Sequence, residues 1–486
     1  RMRSMAFVSF GVATMKIWKR PPVRLRLRRY VSAQPAWEDL ASDAGRPTPR
    51  IFEAETRLFG AERPELKFWH DAAGWCPHCM VSWVVLEAMQ VPYVMETTPL
   101  RAYLRPGEKK RQRMVPVIQL IDPDSSNRKW SFQDAMRDVG RGEQVCQMLA
   151  ERFPDHSLWP KDAAKRTQAQ FQLGLFHKLQ QAHSAYKRLP GNKPTWGVSE
   201  KHSRLEEDRL VAALDGLEDA LRAARGGGAD EGSFLGGQQP HMVDLMLLPI
   251  LERVEALLLH PFLAPLELRM GRWMRVEQML SAGRQPGICS FGDLCSDVET
   301  LVAVSLREDP GRTPALPLEN TILRPKLSVL EAAEVASGQP SAACKEAAAR
   351  ICGKHAAVVA FACYGRGCGR TQQAAAKAAK EDETVQGVDF VLRRITASML
   401  QRPSQVDLES DARRVAQKLG EAAPAVVNPL RFLCQNIGVP RDMAAAPAAA
   451  LRAHLNLQIA ALEGRGPAKG IGRPQLEASS AQGFRR

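Results

Sequence analysis

Two cysteines three positions apart, Cys76 and Cys79, carry the clearest chemistry in this sequence. They enclose Pro77 and His78, three residues after the extended run KFWHDA and just before an apolar run that predicts a helix from about Pro77 to Met89. Proline suits the first position of a helix, because its missing N–H would have no partner there. Cys76 is therefore expected at a helix N-terminus, where unpaired N–H groups and the helix dipole favour the nucleophilic thiolate.

The spacing gives the two thiols different roles. Cys76 is the predicted nucleophile, and Cys79, one helical turn later, is placed to resolve a mixed disulfide formed at Cys76. His78 would stabilise the thiolate if protonated, or donate one hydrogen bond if neutral. Two other interpretations stay open: a zinc knuckle, which lacks its second pair of ligands, and two inert buried cysteines. The strand–turn–helix frame favours thiol redox chemistry.

A proline on another segment supports this interpretation. Pro116, in the run MVPV, precedes a predicted strand and follows the cysteine pair by roughly forty residues. In thiol-redox α/β folds, a proline before a strand, with a cis peptide bond, lies opposite the cysteine turn. A cis bond would present the backbone N–H and C=O of Val115 to an extended, peptide-like ligand. The sequence does not reveal the isomer, and most X–Pro bonds are trans.

The rest of the chain divides into segments that must position these residues. Residues 61–155 read as strand, helix, strand, hairpin and helix, which predicts an α/β domain. Long amphipathic patterns predict an all-helical domain after it. The full division is 1–60 targeting segment and linker, 61–155 α/β domain, 160–308 helical domain, 309–327 Pro-rich linker, 328–464 extra helical domain and 465–486 disordered tail.

The net charge of +14 is concentrated at the two ends of the sequence. Residues 1–37 hold nine Lys/Arg and no acid, and residues 465–486 hold five Lys/Arg against one Glu, which leaves about +1 for the body. No basic stripe interleaved with aromatics occurs in that body, so we expect no nucleic-acid partner. The Arg-rich, acid-free start predicts import into a plastid, with mitochondrion or cytoplasm as alternatives. We also expect no membrane span, because no other segment is long and apolar enough.

The order of these parts is similar to the glutathione S-transferase superfamily. The run GWCPHC together with MVPV resembles its cysteine-containing members, which are the omega-like, dehydroascorbate-reductase-like and glutaredoxin-like proteins. The resemblance covers residues 65–308 and implies a thioredoxin-like N-terminal domain of α/β type followed by an all-helical transferase-type domain. Residues 328–464 resemble an additional helical C-terminal region found in some algal and plant plastid members.

One run in the helical domain, SFLGGQQPHMVDLMLLPILERV, resembles the superfamily's second-domain signature, a Gly loop before a capped central helix. The family uses Ser or Thr as the cap and Asp three residues later. Here His241 stands at the cap and Asp244 at the Asp position, which is expected to weaken one side of the reciprocal capping box. Asp244 is therefore interpreted as a folding residue.

The resemblance also implies a site for glutathione as cosubstrate. The family holds the glutamyl end with a Glu/Gln–Ser pair, for which Gln133 and Asp134 are the nearest candidates here; an alternative register puts Ser131–Phe132 on the pair. Asp in place of Ser would repel the glutathione carboxylate but could pair with its ammonium group. Helix N-capping is the other interpretation of Asp134. Lys110, with its basic neighbours, could meet the glycyl carboxylate or be an ordinary exposed lysine.

The resulting prediction is a glutathione-dependent thiol-disulfide oxidoreductase or transferase. Cys76 would attack a small disulfide or electrophilic substrate, and Cys79 or a second glutathione would release the adduct. Trp75 and the helical domain would line an apolar cosubstrate site. Conjugation or reductive dehalogenation of an electrophile, which needs Cys76 alone, is a second enzymatic reading. The non-enzymatic alternative is a binding or assembly module, with residues 328–464 as the surface for a protein partner. A homodimer is expected from the resemblance.

Overall fold

The strand before the cysteine pair is central to a mixed sheet. The computed structural model describes residues 34–98, 115–121, 129–130, 143–187, 200–224, 232–259, 270–285, 287–302, 340–364, 383–401 and 405–464. Within these ranges, five strands form one sheet in the order β1-β3-β2-β4-β5. Their bounds are β1 Thr56–Arg57, β2 Leu66–Asp71, β3 Tyr93–Thr98, β4 Val117–Leu120 and β5 Lys129–Trp130.

The sheet has the predicted thioredoxin-like connectivity. The parallel strands β2 and β3 are joined by helix α2, Pro77–Met89, with the bounds that the sequence predicts. Strands β1, β4 and β5 pair antiparallel with their neighbours. Ten of the thirteen α2 residues are buried, because α2 packs between the sheet and a helix of the next domain. An apolar surface on nearly every side is what such a position requires.

Helix α3, Glu143–Arg152, ends the α/β domain, and an all-helical domain follows it, as predicted. The helices of this second domain are α4 Ala163–Lys187, α5 Glu200–Ala224, α6 Met242–Leu258, α7 Met274–Gly283 and the short α8 Phe291–Leu294. α6 is its central helix: nearly every residue is buried, and it contacts α2, α4 and α7. The sheet and these helices share one apolar core, which runs in sequence from Ile51 to Cys295.

Helix α6 begins with a reciprocal capping box formed by His241 and Asp244. The Asp244 carboxylate accepts a 3.0 Å hydrogen bond from the His241 N–H, and the His241 ring accepts one from the Asp244 N–H. The second bond is long, at 3.5 Å, so the side supplied by His241 is present but weak, as its replacement of Ser or Thr suggested. Asp244 also accepts the N–H groups of Leu235 and Gly236, which fits a role in folding.

A third part has its own core, built from both ends of the described chain. Its helices are α9 Pro340–Tyr364, α10 Glu383–Gln401, α11 Gln405–Leu419, α12 Ala423–Asn436 and α13 Ala445–Leu462, joined by α1 Trp37–Ala44. Trp37 of α1 is buried, stacks on His355 and donates a 2.8 Å hydrogen bond to Asp389. Part of the segment that sequence grouping assigned to targeting and linker is thus structured, since α1 joins this core and β1 joins the sheet.

Among the described residues, no helix is both long enough and apolar enough to cross a membrane.

Acid stability of the third part should depend on His454, a buried residue of α13. Burial lowers its pKa to about 4, from an ordinary value of about 6.5. As pH falls from about 6.5 to 4, His454 binds a proton in the unfolded chain but not in the folded chain. The free energy of unfolding therefore falls by up to about 3 kcal/mol. We expect His454→Leu to flatten the dependence of the urea unfolding midpoint on pH in this window.

His454→Gln is the companion variant, because it keeps a polar group that does not titrate. Both variants should show the same reduced slope, although His70, whose pKa is also about 4, retains its own share. Curves parallel to that of the wild type would contradict the assignment.

Candidate active site

The cysteine pair lies at the beginning of α2, where the sequence placed it. Cys76 is the N-cap residue in extended conformation (φ −68°, ψ 116°), and Pro77 is the first helical residue. The Cys76 carbonyl accepts the first helical hydrogen bond, from the Met80 N–H at 3.0 Å. The sulfur therefore lies near N–H groups that the first helical turn leaves without intrahelical partners.

The second segment predicted for the site is also present. The Val115–Pro116 peptide bond is cis. The Cys76 Sγ lies 3.8 Å from the Val115 carbonyl oxygen. Cys76, Cys79 and Val115 form one small apolar cluster, against which Trp69 packs. Four of the predicted site residues, including Pro116, are thus brought together from two separate segments.

Both sulfurs are reduced, but they are not equivalent. The pKa of the Cys76 thiol is lowered, first because the Cys79 thiol donates a hydrogen bond to it; burial opposes this effect, and the backbone N–H groups of Cys79 and His78 add to it. Burial raises the pKa of the Cys79 thiol well above the usual range, and the neighbouring Cys76 raises it further. Cys76 is therefore the more acidic thiol of the pair, and Cys79 is the one that holds its proton more tightly. His78, which the sequence assigned a stabilising ring, contributes here through its backbone.

Both cysteines of the pair are buried. Cys76 is 9% exposed and Cys79 is 1% exposed, so Cys76 is the less enclosed of the two residues.

Asp71, the last residue of β2, organises the turn and was missed from the sequence. Its fully buried carboxylate accepts N–H groups from Trp75 at 2.6 Å, Ala73 at 3.2 Å and Cys76 at 3.3 Å. Burial raises the pKa of Asp71, while these N–H groups and Arg253 act in the opposite direction. An Asp at the end of a strand, three residues before a glycine, is a turn signal that could have identified it.

A second missed residue comes from the helical domain. Arg253 of α6 donates a 2.9 Å hydrogen bond to the Trp75 carbonyl, and its other nitrogen donates to the Pro249 carbonyl and to Glu252. Its partner on the turn is 178 positions away in the sequence. No local sequence pattern predicts a contact between residues so far apart.

The surroundings of Trp75 correct one expectation. Sequence reasoning placed this residue on the wall of an apolar cosubstrate site together with the second domain. The side chain is instead only 6% exposed, and its Nε1–H donates a 3.1 Å hydrogen bond to the Val439 carbonyl of the third part. The third part therefore covers this side of the turn.

The glutathione candidates stay predictions. Gln133, Asp134, Ser131, Phe132 and Lys110 all lie outside the described residues. In the ranges that the structure does describe, no group of three or more His, Cys, Asp or Glu side chains is arranged to hold a metal ion.

The hydrogen bond between the two thiols gives a direct prediction. Cys79→Ala removes the donor that contributes most to the low pKa of Cys76, so the Cys76 pKa should rise. We expect the ratio of the iodoacetamide rate at neutral pH to the plateau rate at high pH to fall roughly fivefold or more, the worth of one charge-assisted hydrogen bond. Tandem mass spectrometry of the labelled peptide locates the adduct.

Cys146→Ala is the matched control, because Cys146 is a fully buried thiol of α3. It should leave the Cys76 profile unchanged. An unaltered profile in Cys79→Ala would show that the low pKa has another origin.

Comparison with known proteins agrees with this architecture. Residues 174–275 match the family model described as glutathione S-transferase, C-terminal domain. Over 134 residues the chain is 29% identical to glutathione S-transferase omega-1 of Mus musculus, covering 28% of this chain and 49% of that protein. The chain thus spans about half the length of this curated relative.

Solved structures give matches of similar kind. Dehydroascorbate reductase of Chlamydomonas reinhardtii aligns with 50% of this chain and 99% of its own, at 18% identity and a TM-score of 0.36. Glutathione transferase Omega 3C of Trametes versicolor aligns with 48% of this chain and 90% of its own, at 16% identity and a TM-score of 0.34. The resemblance inferred from the sequence is confirmed: residues 174–275 match the glutathione S-transferase C-terminal domain, and a thioredoxin-like domain precedes them.

Proposed function

We propose that the chain is a glutathione-dependent thiol-disulfide oxidoreductase with Cys76 as its nucleophile. The observation that carries the proposal is the asymmetric pair at the beginning of α2, in which Cys76 has a lowered pKa and Cys79 a raised one. The similarity to a mouse omega-1 glutathione S-transferase supports glutathione as the cosubstrate. We place the peptide backbone of glutathione alongside Val115, whose carbonyl lies next to the sulfur.

The first step is a thiol–disulfide exchange. The Cys76 thiolate attacks the glutathione sulfur of a mixed disulfide, a new S–S bond forms between Cys76 and glutathione, and the old S–S bond breaks. The bond's electron pair leaves with the substrate sulfur, which takes a proton from solvent and departs as a reduced thiol. The enzyme then carries a glutathionyl group on Cys76.

Two routes release this adduct. A second glutathione thiolate can attack the glutathione sulfur of the adduct, which gives oxidised glutathione and restores the Cys76 thiolate. Alternatively, Cys79 loses its proton and attacks Cys76, which releases reduced glutathione and leaves a Cys76–Cys79 disulfide that a further thiol must reduce. Because burial keeps Cys79 protonated in the resting enzyme, we propose the first route as the main one.

A non-enzymatic binding module is the second candidate function. The narrow exposure of Cys76 and the coverage of Trp75 by the third part favour it. In this reading the fold is retained for binding, and residues 328–464 supply a surface for a protein partner. The homodimer and the plastid location predicted from the sequence remain predictions under either function.

Turnover separates the candidates. We expect the wild type to bind glutathione by calorimetry and to catalyse glutathione-dependent reduction of a small disulfide such as hydroxyethyl disulfide. Cys76→Ser should lose this activity to background, because a hydroxyl is not an effective nucleophile without a base. Cys79→Ser should retain most of it if glutathione releases the adduct.

Cys146→Ser controls for the loss of a buried thiol away from the site. Activity in Cys76→Ser equal to that of the wild type would refute the assigned nucleophile. A wild type that neither binds glutathione nor turns over the disulfide would favour the binding module.

A further inference from the structure

Residues 437–444, which we call the third-domain loop, connect α12 to α13. It is held internally by Asp442, which accepts the Gly438 N–H at 2.7 Å and donates its own N–H to the Gly438 carbonyl at 2.7 Å. The Arg441 guanidinium also pairs with the Asp442 carboxylate. The loop therefore has a defined shape of its own.

Polar contacts fasten this loop to the transferase-type domain. Arg452 of α13 pairs with Asp297 and donates a 2.7 Å hydrogen bond to the Ile437 carbonyl. Thr300 accepts the Val439 N–H at 3.3 Å. The side chains of Arg452 and Asp297 are only 11% and 10% exposed. Because a buried ion pair is costly to break on one side, this connection is a firm one.

The other side of the loop presses on the cysteine turn. The Val439 carbonyl accepts the Trp75 Nε1–H at 3.1 Å, and a Cβ added at Gly438 would come within 3.1 Å of the Trp75 ring. Gly74 has φ +72°, and a Cβ there would lie 3.0 Å from the Pro440 side chain. The loop and the turn are therefore in close packing contact at two consecutive turn residues.

Trp75 is consequently held from three directions. Its N–H donates to Asp71, its carbonyl accepts from Arg253, and its indole N–H donates to Val439. These three partners belong to the thioredoxin-like domain, the transferase-type domain and the third part, respectively. Since Trp75 is bonded directly to Cys76, a displacement of its ring that shifts the Trp75 backbone also moves the sulfur.

We propose that the third-domain loop positions Cys76 by holding Trp75, which makes the third part a component of the thiol site. Val439 and Gly438 are positioning residues that act through Trp75 and do not touch the reacting sulfur. With the loop in place, the sulfur keeps its hydrogen bond from Cys79 and its narrow exposure. The inference deepens the proposed function, and its consequence for turnover rests on that function.

Two variants disturb the contact in different ways. Gly438→Ala introduces a methyl group against the Trp75 ring and the Arg441 guanidinium, of which the guanidinium is the flexible neighbour. The Gly438 backbone is outside the left-handed region, so alanine fits the chain itself. Trp75→Phe removes the indole donor to Val439 and keeps an aromatic ring. Gly216→Ala is the matched control, because a Cβ added there meets nothing within 4 Å.

The readout is the pH profile of Cys76 alkylation by iodoacetamide, located by tandem mass spectrometry, alongside thermal unfolding. In both loop-contact variants we expect the ratio of the neutral-pH rate to the high-pH plateau rate to fall about threefold or more, because thiolate stabilisation weakens. The plateau rate itself should rise about twofold or more, because the sulfur becomes more accessible. Gly216→Ala should match the wild type in both quantities.

A purely structural brace would lower the unfolding temperature and leave the alkylation profile unchanged. That result in both Gly438→Ala and Trp75→Phe would overturn the inference. The alkylation readout needs no glutathione, so the two proposals can fail separately. If the wild type shows no turnover but the alkylation profiles of the two variants are altered, the positioning role is supported and the oxidoreductase is refuted. If the wild type turns over normally but the variant profiles are unaltered, the oxidoreductase is supported and the positioning role is refuted.

Discussion

The buried Asp71 carboxylate is the constraint on which the cysteine turn depends. Residues 73–76 lie between the sheet and the first turn of α2, so their N–H groups lack strand and helix partners, and a buried N–H without an acceptor is costly. Asp71 accepts three of them, at the expense of its own desolvation, which its raised pKa reflects. The same negative charge opposes a thiolate at Cys76. The neighbouring thiol and the helix N–H groups must therefore overcome it, and the net lowering of the Cys76 pKa shows that they do.

Much of the fold could be predicted from local patterns. The apolar run after Pro77 set the bounds of α2, and the alternation in Leu66–Asp71 follows the burial of β2. Strand β1 and helix α1 escaped prediction for physical reasons. A two-residue strand has no period to detect, and α1 is stabilised by partners more than 300 positions away, such as Asp389. Sequence periodicity shows that a face will be buried, but not against what.

The candidate site divides in the same way. Cys76 and Cys79 can be identified from their residue type and spacing, and Pro116 can be identified from its position before a strand. Arg253 and Val439 cannot be identified in this way, because both are distant from the turn in the sequence. Arg253 contributes one guanidinium nitrogen to the contact with Trp75, and Val439 contributes its backbone carbonyl. The reassignment of Trp75, from the wall of a cosubstrate site to a contact with the third part, has the same origin. The apolar ring of Trp75 indicated an apolar partner, and only the folded structure shows that this partner is the third part of the same chain.

The third core, which takes Trp37 from one end of the described chain and Leu462 from the other, has a consequence for the order of events on the ribosome. Helix α1 is synthesised first among the described helices, and the helices that its buried face contacts, α9 and α10, emerge about 300 residues later. Trp37 and Leu40 must stay exposed through most of translation, which favours shielding by a chaperone. The nascent cysteine turn is likewise uncovered until Val439 leaves the exit tunnel. The newborn protein therefore passes through a stage in which Cys76 is made but not yet enclosed.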